Sequence, residues 1–172
     1  MSGGDAGRGV KGAPCAPSSV WRNPVHFLAF GCGVGAIPMA PGTFGTLLGV
    51  LPYLALRPLD IPVYLAVLAA LFLAGSWLCQ ITARDIGVHD HPGIVVDEVV
   101  GFLLTMTGAA PQWWWIALGF AYFRLFDIWK PWPIGLIDRR VSGGVGIMLD
   151  DVLAGVYAWI ALRITEYAAT LL

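Results

Sequence analysis

Residues 61 to 81 contain no charged side chain, and this run constrains the fold more than any other feature of the sequence. A helix that crosses a bilayer needs about 20 consecutive, mostly apolar residues. The composition agrees, because 58% of the residues are hydrophobic and the mean hydropathy is +0.74. We therefore predict an all-α, polytopic integral membrane protein, a helix bundle of about four or five short spans.

A second uncharged stretch, residues 27 to 56, begins with a segment rich in Gly and Pro, GCGVGAIPMAPGTFGT. Proline and glycine disfavour a lipid-facing helix. Irregular backbone at membrane depth needs cover from protein or a watery cavity. We expect a re-entrant or interfacial loop over residues 31–43, followed by a helix over residues 44–56.

Two more apolar regions complete the expected bundle. Residues 93 to 126 are interrupted by GAAPQ at 108–112, which predicts a turn between two short spans, and three Trp residues follow as an interfacial anchor. The last span is expected to begin after Asp151. Residues 1–24 are rich in Gly, Pro and Ser and predict a disordered cytosolic tail, which leaves residues 25–172 as a single membrane-embedded domain.

The basic residues support this topology, because cytoplasmic loops carry an excess of Lys and Arg. With five crossings and a cytosolic N-terminus, only Arg57 and Arg163 of the ten Lys and Arg residues fall on or near the outer side. A single crossing over residues 93 to 126 would move the basic block at 124–140 outside. The hairpin interpretation is therefore favoured.

The same topology brings acidic residues to the cytoplasmic side. Asp97 and Glu98 are expected to open one helix and Asp127 to close the next, while Asp150 and Asp151 are expected to open the last. Carboxylates near the membrane are costly unless they are paired or bound to a cation. A hard cation such as Mg²⁺ prefers such oxygen ligands, and the sequence has no Cys and His cluster for zinc. The alternative is that these acids only mark helix starts.

Basic and glycine-rich segments indicate an anionic substrate. Arg124 and Lys130 flank Asp127, as expected where cationic donors meet a phosphate beside a metal. The segments PGTFGT, with Thr43 and Gly45, and SGGVG, with Gly143 and Gly144, offer backbone N–H groups to an anion. Turns and close helix packing are the alternative explanation for these glycines. A net charge of −1 does not favour nucleic acid as a partner.

Three motifs together resemble the phosphatidylglycerophosphatase A family from about residue 25 onward. They are PGTFGTLLG, HPGIVVDEVVG and FRLFDIWKPWPIGLIDRRVSGGVGIMLDDVLAG. The resemblance implies a Mg²⁺-dependent lipid phosphatase of the bacterial inner membrane, multi-pass, with its active site facing the cytoplasm. Such an enzyme removes the terminal phosphate of phosphatidylglycerophosphate to give phosphatidylglycerol.

The resemblance also assigns roles to residues. It implies that the metal ligands are Asp97, Glu98, Asp127, Asp150 and Asp151, while Arg124 and Lys130 hold the phosphate. These five acids and Lys130 form the expected catalytic set. Asp138 is not included in this set, because we expect the loop over residues 133–142 to hold it at the surface.

The mechanism is narrowed by motifs that the sequence lacks. There is no Cys-x5-Arg phosphatase loop, no DxDx[TV] nucleophile motif and no Ser-Gly-His motif of the metal-independent lipid phosphatases. We therefore expect direct attack by a metal-activated water, with a carboxylate such as Asp97 as the base. A covalent phosphate on Asp127 or Asp150 is the alternative.

Other functions stay open at this point. A phosphatase acting on another membrane lipid phosphate is the nearest alternative, because nothing in the sequence identifies the head group. A small membrane transporter would use the acids as ion ligands, but it would place them near span centres. The sequence leaves homo-oligomerisation open.

Overall fold

The computed structural model describes residues 16–88 and 91–171, and every regular element in these ranges is a helix. Most of the predicted tail, residues 1–15, lies outside the described residues. The α-helices are α1 (Pro24–Ala29), α2 (Pro41–Leu56), α3 (Ile61–Ile86), α4 (Val96–Thr105), α5 (Trp113–Trp129), α6 (Ile134–Arg140) and α7 (Gly143–Ala169). Short 3-10 helices cover Ser18–Trp21 and Val34–Ala36.

Within residues 16–88 and 91–171, two helices are long and apolar enough to cross a membrane. These are α3 with 26 residues and α7 with 27 residues, whereas α2 is a shorter apolar helix of 16 residues. Helix α4 has only 10 residues, which at 1.5 Å per residue covers about half of the bilayer core of about 30 Å. The number of crossings stays a prediction.

Helix α3 extends beyond the uncharged run that predicted it. Asp60 precedes its first residue, a proline occupies its first turn, and Gly87 ends it in the left-handed conformation at φ 74°. The last turn contains Arg84 and Asp85, so the apolar pattern alone placed the end too early. Asp85 accepts a hydrogen bond at 3.3 Å from His26 and so ties α1 to this end of α3.

The start of α7 differs from the prediction. The helix begins at Gly143 rather than after Asp151, so Asp150 and Asp151 lie inside it and do not open it. Gly143 and Gly144 let the first turn approach α3, where the Gly144 amide donates to the Gln80 side chain at 2.7 Å. Small residues at a helix contact therefore explain the SGGVG segment better than a loop does.

The segment between α5 and α7 contains a helix that the sequence did not predict. Helix α5 ends at Trp129, Lys130 adopts a left-handed conformation at φ 45°, and α6 follows after the two prolines. Asp138 lies in α6, so the prediction of a loop over residues 133–142 was wrong. Pro131 and Pro133 interrupt the helix, as expected, but they do not prevent a new one.

The glycine-rich segment before α2 is irregular over a shorter range than predicted. Helix α2 begins at Pro41, which places Thr43 and Gly45 in its first turns. The preceding loop packs against residues 93–95, where a Cβ atom at Gly35 would lie 3.2 Å from Val95 Cγ1. Earlier in the chain, Val20 is fully buried, so the chain is already packed before the domain boundary predicted at residue 24.

Successive long helices alternate in direction. At one end of the bundle, Gly42 near the start of α2 meets Glu98 of α4 and Arg124 of α5. At the opposite end, the Tyr64 hydroxyl of α3 donates to the Leu103 carbonyl at 2.6 Å. We call the first of these the carboxylate end, because it collects the candidate acids from α4, α5 and α7.

Helix α7 is central and packs against α3, α4, α5 and α6. Its closest approach to α4 occurs at two glycines, because a Cβ atom at Gly155 would lie 2.5 Å from the Gly101 carbonyl oxygen. A Cβ atom at Gly101 would lie 2.7 Å from the Asp151 carbonyl oxygen. The absence of side chains at these positions lets the two backbones come together.

We predict that Gly155→Val destabilises the fold, because its side chain must push α7 away from α4. Overpacking of this kind costs about 1–3 kcal/mol and should lower the thermal midpoint of the purified protein by several degrees. Ala66→Val, on the exposed side of α3, is the control and should change the midpoint little. Equal midpoints for the two variants would contradict the proposed close contact.

Candidate active site

Three acidic side chains of the carboxylate end meet in the interior. Asp97, Glu98 and Asp151 each offer one oxygen, and these oxygens all lie within 4.8 Å of one another. Asp97 and Asp151 are buried, and the Glu98 side chain is only 13% exposed. Two residues from the first turn of α4 and one from α7 thus form a compact group of oxygens.

Asp127 of α5 joins this group from the side. Its carboxyl group is close enough to that of Asp151 for a hydrogen bond, and its Oδ2 accepts from Arg124 Nη1 at 2.5 Å. The same Arg124 nitrogen lies 4.0 Å from Glu98 Oε1. We call Asp97, Glu98, Asp127 and Asp151 the carboxylate cluster.

The cluster combines four carboxylates with a guanidinium group from α5. Within the described residues, Arg124 pairs with Asp127 and lies near Glu98. Within the described part of the chain, Glu98 Oε2 is buried without a hydrogen-bond partner. Unpaired buried charge is costly. An oxygen-only donor set of this kind fits a hard divalent cation such as Mg²⁺.

Asp150 faces a different partner from its neighbour Asp151. Its Oδ2 accepts a hydrogen bond from Lys130 Nζ at 2.6 Å, and Asp138 of α6 lies 3.1 Å from the same nitrogen. Successive helix residues point about 100° apart, so two adjacent acids serve two different groups. Asp150 therefore does not belong to the compact group of oxygens.

The two carboxylates around Lys130 stabilise its charged form. Burial alone lowers the pKa of the ammonium group, but the hydrogen bonds and charges of Asp150 and Asp138 outweigh that effect and raise the pKa above its usual value. Lys130 is therefore a fixed positive charge beside the carboxylate cluster. Its left-handed backbone directs the chain from α5 into the turn before α6.

The glycine-rich segments serve packing at the residues that the sequence singled out. The Thr43 amide donates to the Ala40 carbonyl at 2.9 Å, and a Cβ atom at Gly45 would lie 2.6 Å from Val95 Cβ. The Gly144 amide is used by Gln80. Close packing, the alternative left open by the sequence, accounts for these contacts.

Gly42 is a site residue that the sequence reasoning missed. A Cβ atom there would meet Glu98 Oε1 and would lie 3.0 Å from Arg124 Nη1. The signal was present in the PGTFG segment, but that segment was interpreted as a source of backbone donors. Its first glycine instead leaves room for the charged side chains of two other helices.

Comparisons with known proteins agree on one family. Residues 27–166 match the phosphatidylglycerophosphatase A family. The chain is 47% identical over 148 residues to phosphatidylglycerophosphatase A of Haemophilus influenzae, covering 84% of this chain and 90% of that protein. It is 45% identical over 135 residues to phosphatidylglycerophosphatase A of Escherichia coli, covering 78% of each.

A third relative carries a different description. A putative phosphatidylinositol-3-phosphatase of Bacteroides thetaiotaomicron is 38% identical over 145 residues, covering 80% of this chain and 90% of that protein. No solved structure matches the chain significantly. The extent of the family match and of the first two relatives shows that the chain belongs to the phosphatidylglycerophosphatase A family and is an enzyme that hydrolyses a phosphate monoester.

Proposed function

We propose that this protein is a Mg²⁺-dependent phosphatase that converts phosphatidylglycerophosphate to phosphatidylglycerol. The observation that carries the proposal is the meeting of three carboxylates, the buried Asp97 and Asp151 and the partly buried Glu98, at one end of a helix bundle. The names of the relatives from Haemophilus influenzae and Escherichia coli support the substrate.

Asp97, Glu98 and Asp151 are the residues that would hold the cation, with Asp127 beside them. When bound, Mg²⁺ polarises phosphoryl oxygens and lowers the pKa of a coordinated water. The carboxylate cluster alone would repel an anionic phosphate, so binding of the substrate requires positive charge at this place. Asp150 is less suited to the metal, because Lys130 already occupies its Oδ2.

Arg124 and Lys130 would bind the phosphate oxygens. Arg124 lies at the edge of the carboxylate cluster and is held there by Asp127, while Asp138 and Asp150 hold Lys130 from the other side. Fixed cations of this kind stabilise the charge on the equatorial oxygens of a phosphoryl group during transfer. Because carboxylates already orient both side chains, little reorganisation is needed when the substrate binds.

A side chain of the carboxylate cluster would also accept the proton of the attacking water. A water molecule attacks the phosphorus atom, and Asp97 takes the proton that this water releases. The Glu98 amide donates to Asp97 Oδ1 at 3.1 Å and so holds the carboxylate in one orientation. The bond from phosphorus to the lipid oxygen breaks, and the released alkoxide takes up a proton. Phosphate transfer to Asp127 is the competing route.

The proposed location is the bacterial inner membrane, with several crossings and the carboxylate end facing the cytoplasm. Helices α3 and α7 supply apolar length for crossing, and Arg124, Lys130 and Arg140 lie at or near the carboxylate end. Basic residues favour the cytoplasmic side. A lipid substrate would thus be reached without leaving the membrane.

Another lipid phosphate is a second candidate substrate. The observation that favours it is the relative described as a putative phosphatidylinositol-3-phosphatase, which matches this chain over most of its length. All such lipids present a phosphate monoester on a polar head group, so one carboxylate cluster would serve any of them. The transporter alternative is not retained, because the family is one of enzymes.

We predict that phosphate release from phosphatidylglycerophosphate requires Mg²⁺ and stops in EDTA. Asp97→Asn and Asp151→Asn should each lower kcat by about 10²–10⁴-fold. Each substitution removes a negative charge that is proposed to bind the cation, and Asp97→Asn also removes the proposed base. Release of inorganic phosphate by the detergent-purified protein measures both effects. Asp60→Asn, at the opposite end beside the start of α3, is the control and should keep wild-type activity.

One outcome would contradict the proposed site, and another would contradict the proposed mechanism. Full activity of Asp151→Asn in Mg²⁺ would place the chemistry away from the carboxylate cluster. Phosphate that stays covalently attached to the acid-quenched protein during turnover would exclude direct water attack and favour an aspartyl phosphate.

We predict that Gly42→Ala lowers kcat/KM by about tenfold or more, which corresponds to about 1.4 kcal/mol. The new methyl group must displace Glu98 or Arg124, since both lie against this position. Gly49→Ala is a matched control on the same helix, because its Cβ atom would meet Phe102 Cδ1 at 3.1 Å, away from the charges. Equal activity losses in the two variants would indicate a general packing effect.

We predict that the enzyme prefers phosphatidylglycerophosphate to other lipid phosphates. Initial rates should be compared for phosphatidylglycerophosphate, phosphatidylinositol 3-phosphate and phosphatidic acid, each in the same mixed micelles with Mg²⁺. A preference of about tenfold or more in kcat/KM is expected from differential binding of the head group. Higher kcat/KM on phosphatidylinositol 3-phosphate would replace the proposed substrate by the second candidate.

A further inference from the structure

An apolar groove runs along the outer surface between α3 and α7, with α4 as its floor. Its section nearer the carboxylate end is lined by residues that include Ala69, Phe72, Val100 and Val152, and it has a volume of about 360 Å³. The section nearer the opposite end has a volume of about 490 Å³. Leu65 and Leu104 line both sections, so the two sections adjoin, and we call them together the acyl groove.

Near the carboxylate end, α3 and α7 are in close contact, whereas the groove lies farther along the same pair of helices. Near the carboxylate end the helices meet through small residues, with Gly144 against Ser76 and Gln80, and Gly75 against Met148. Farther along, side chains such as Phe72 and Val156 face the space between the helices. The space between these side chains is lined by residues of α3, α4 and α7.

The acyl groove begins close to the candidate active site. Val100 follows Asp97 by three residues on α4, a spacing that places both on one face of the helix. Val152 directly follows Asp151 on α7. The walls of the groove thus begin within about one helical turn of two members of the carboxylate cluster.

The length of the groove matches one leaflet of a bilayer. From Leu149 to Arg163, its lining on α7 covers about 20 Å at 1.5 Å per residue. Half of the bilayer core is about 15 Å thick. A chain that starts at the carboxylate cluster and lies in the groove would therefore reach the bilayer centre or somewhat beyond it.

Among the described residues that line the groove, polar side chains lie at the end opposite the carboxylate cluster. Trp159 Nε1 donates to the Thr107 carbonyl at 3.0 Å, and Arg163 Nη1 donates to the Gly108 carbonyl at 2.5 Å. The lining between this end and the carboxylate cluster consists of aliphatic and aromatic side chains together with Ala69. Such a lining has no hydrogen-bonding groups for a peptide backbone, but it suits a hydrocarbon chain.

We propose that the acyl groove holds one acyl chain of the lipid substrate while its phosphorylated head group occupies the carboxylate cluster. The proposal rests on the proposed function, since it assigns a place to the apolar part of the same substrate. Holding one chain would fix the distance between the lipid backbone and the metal ligands. It would also make substrate affinity depend on chain length.

The test uses two adjacent alanines of α3, both exposed, of which only Ala69 lines the groove. Ala69→Trp should fill the groove, whereas Ala70→Trp places the same bulk outside it. With dioleoyl phosphatidylglycerophosphate in nanodiscs, Ala69→Trp should raise KM by about fivefold or more, through lost chain burial. With the dihexanoyl substrate, both variants should match the wild type within about twofold, because a short chain makes few contacts with the groove.

The outcomes separate the two proposals. If the wild type hydrolyses neither substrate, the proposed function fails. If the wild type is active and Ala69→Trp matches Ala70→Trp on the dioleoyl substrate, the acyl groove proposal is wrong. A change of oligomeric state in Ala69→Trp alone would instead identify the groove as a contact with a second copy of the chain, which also overturns the proposal.

A binding measurement on the wild-type protein avoids any folding defect of a variant. Phosphatidylglycerophosphate with a photoreactive group in one acyl chain should label peptides of α3, α4 and α7 that line the groove. Phosphatidylcholine with the same photoreactive chain is the control for bulk lipid and should label these peptides much less. Equal labelling by the two lipids would show that the groove binds membrane lipid without selection, and this would refute the proposal.

Discussion

The contact between α4 and α7 at Gly101 and Gly155 is the constraint on which the rest of the site depends. Carboxylate side chains are short, so Asp97 and Asp151 share a site only if the two backbones are close. A side chain at either glycine would separate the helices. Because α7 also packs against α3, α5 and α6, a change in this contact would alter the packing of these helices as well.

Burial of several carboxylates opposes folding unless their charge is balanced. In this protein the balance is divided into two groups, with Arg124 beside the carboxylate cluster and Lys130 between Asp138 and Asp150. The proposed cation would complete the first group. The same side chains that lower the cost of burial are those proposed to bind the phosphate, so stability and catalysis depend on the same ion pairs.

A lipid phosphatase acts on a substrate that has an ionic head group and hydrocarbon chains. As proposed, the ionic head group lies at the carboxylate cluster and one acyl chain lies in the acyl groove between α3 and α7. The carboxylate cluster and the groove share α4 and α7, so a change in the packing of these helices would alter both. We infer that head-group chemistry and chain binding are coupled through this pair of helices.

The sequence by itself determined the all-helical class, the family and the set of candidate site carboxylates. Runs of apolar residues and contiguous motifs are local properties of the chain. The sequence placed the start of α7 too late and Asp138 on a loop, since acids and prolines only bias local conformation. Only the tertiary structure decided that Asp151 faces Asp97 and Glu98 while Asp150 faces Lys130, and that Gly42 lies against Glu98 and Arg124. These contacts join residues far apart in the chain and depend on how the helices pack, which no local pattern specifies.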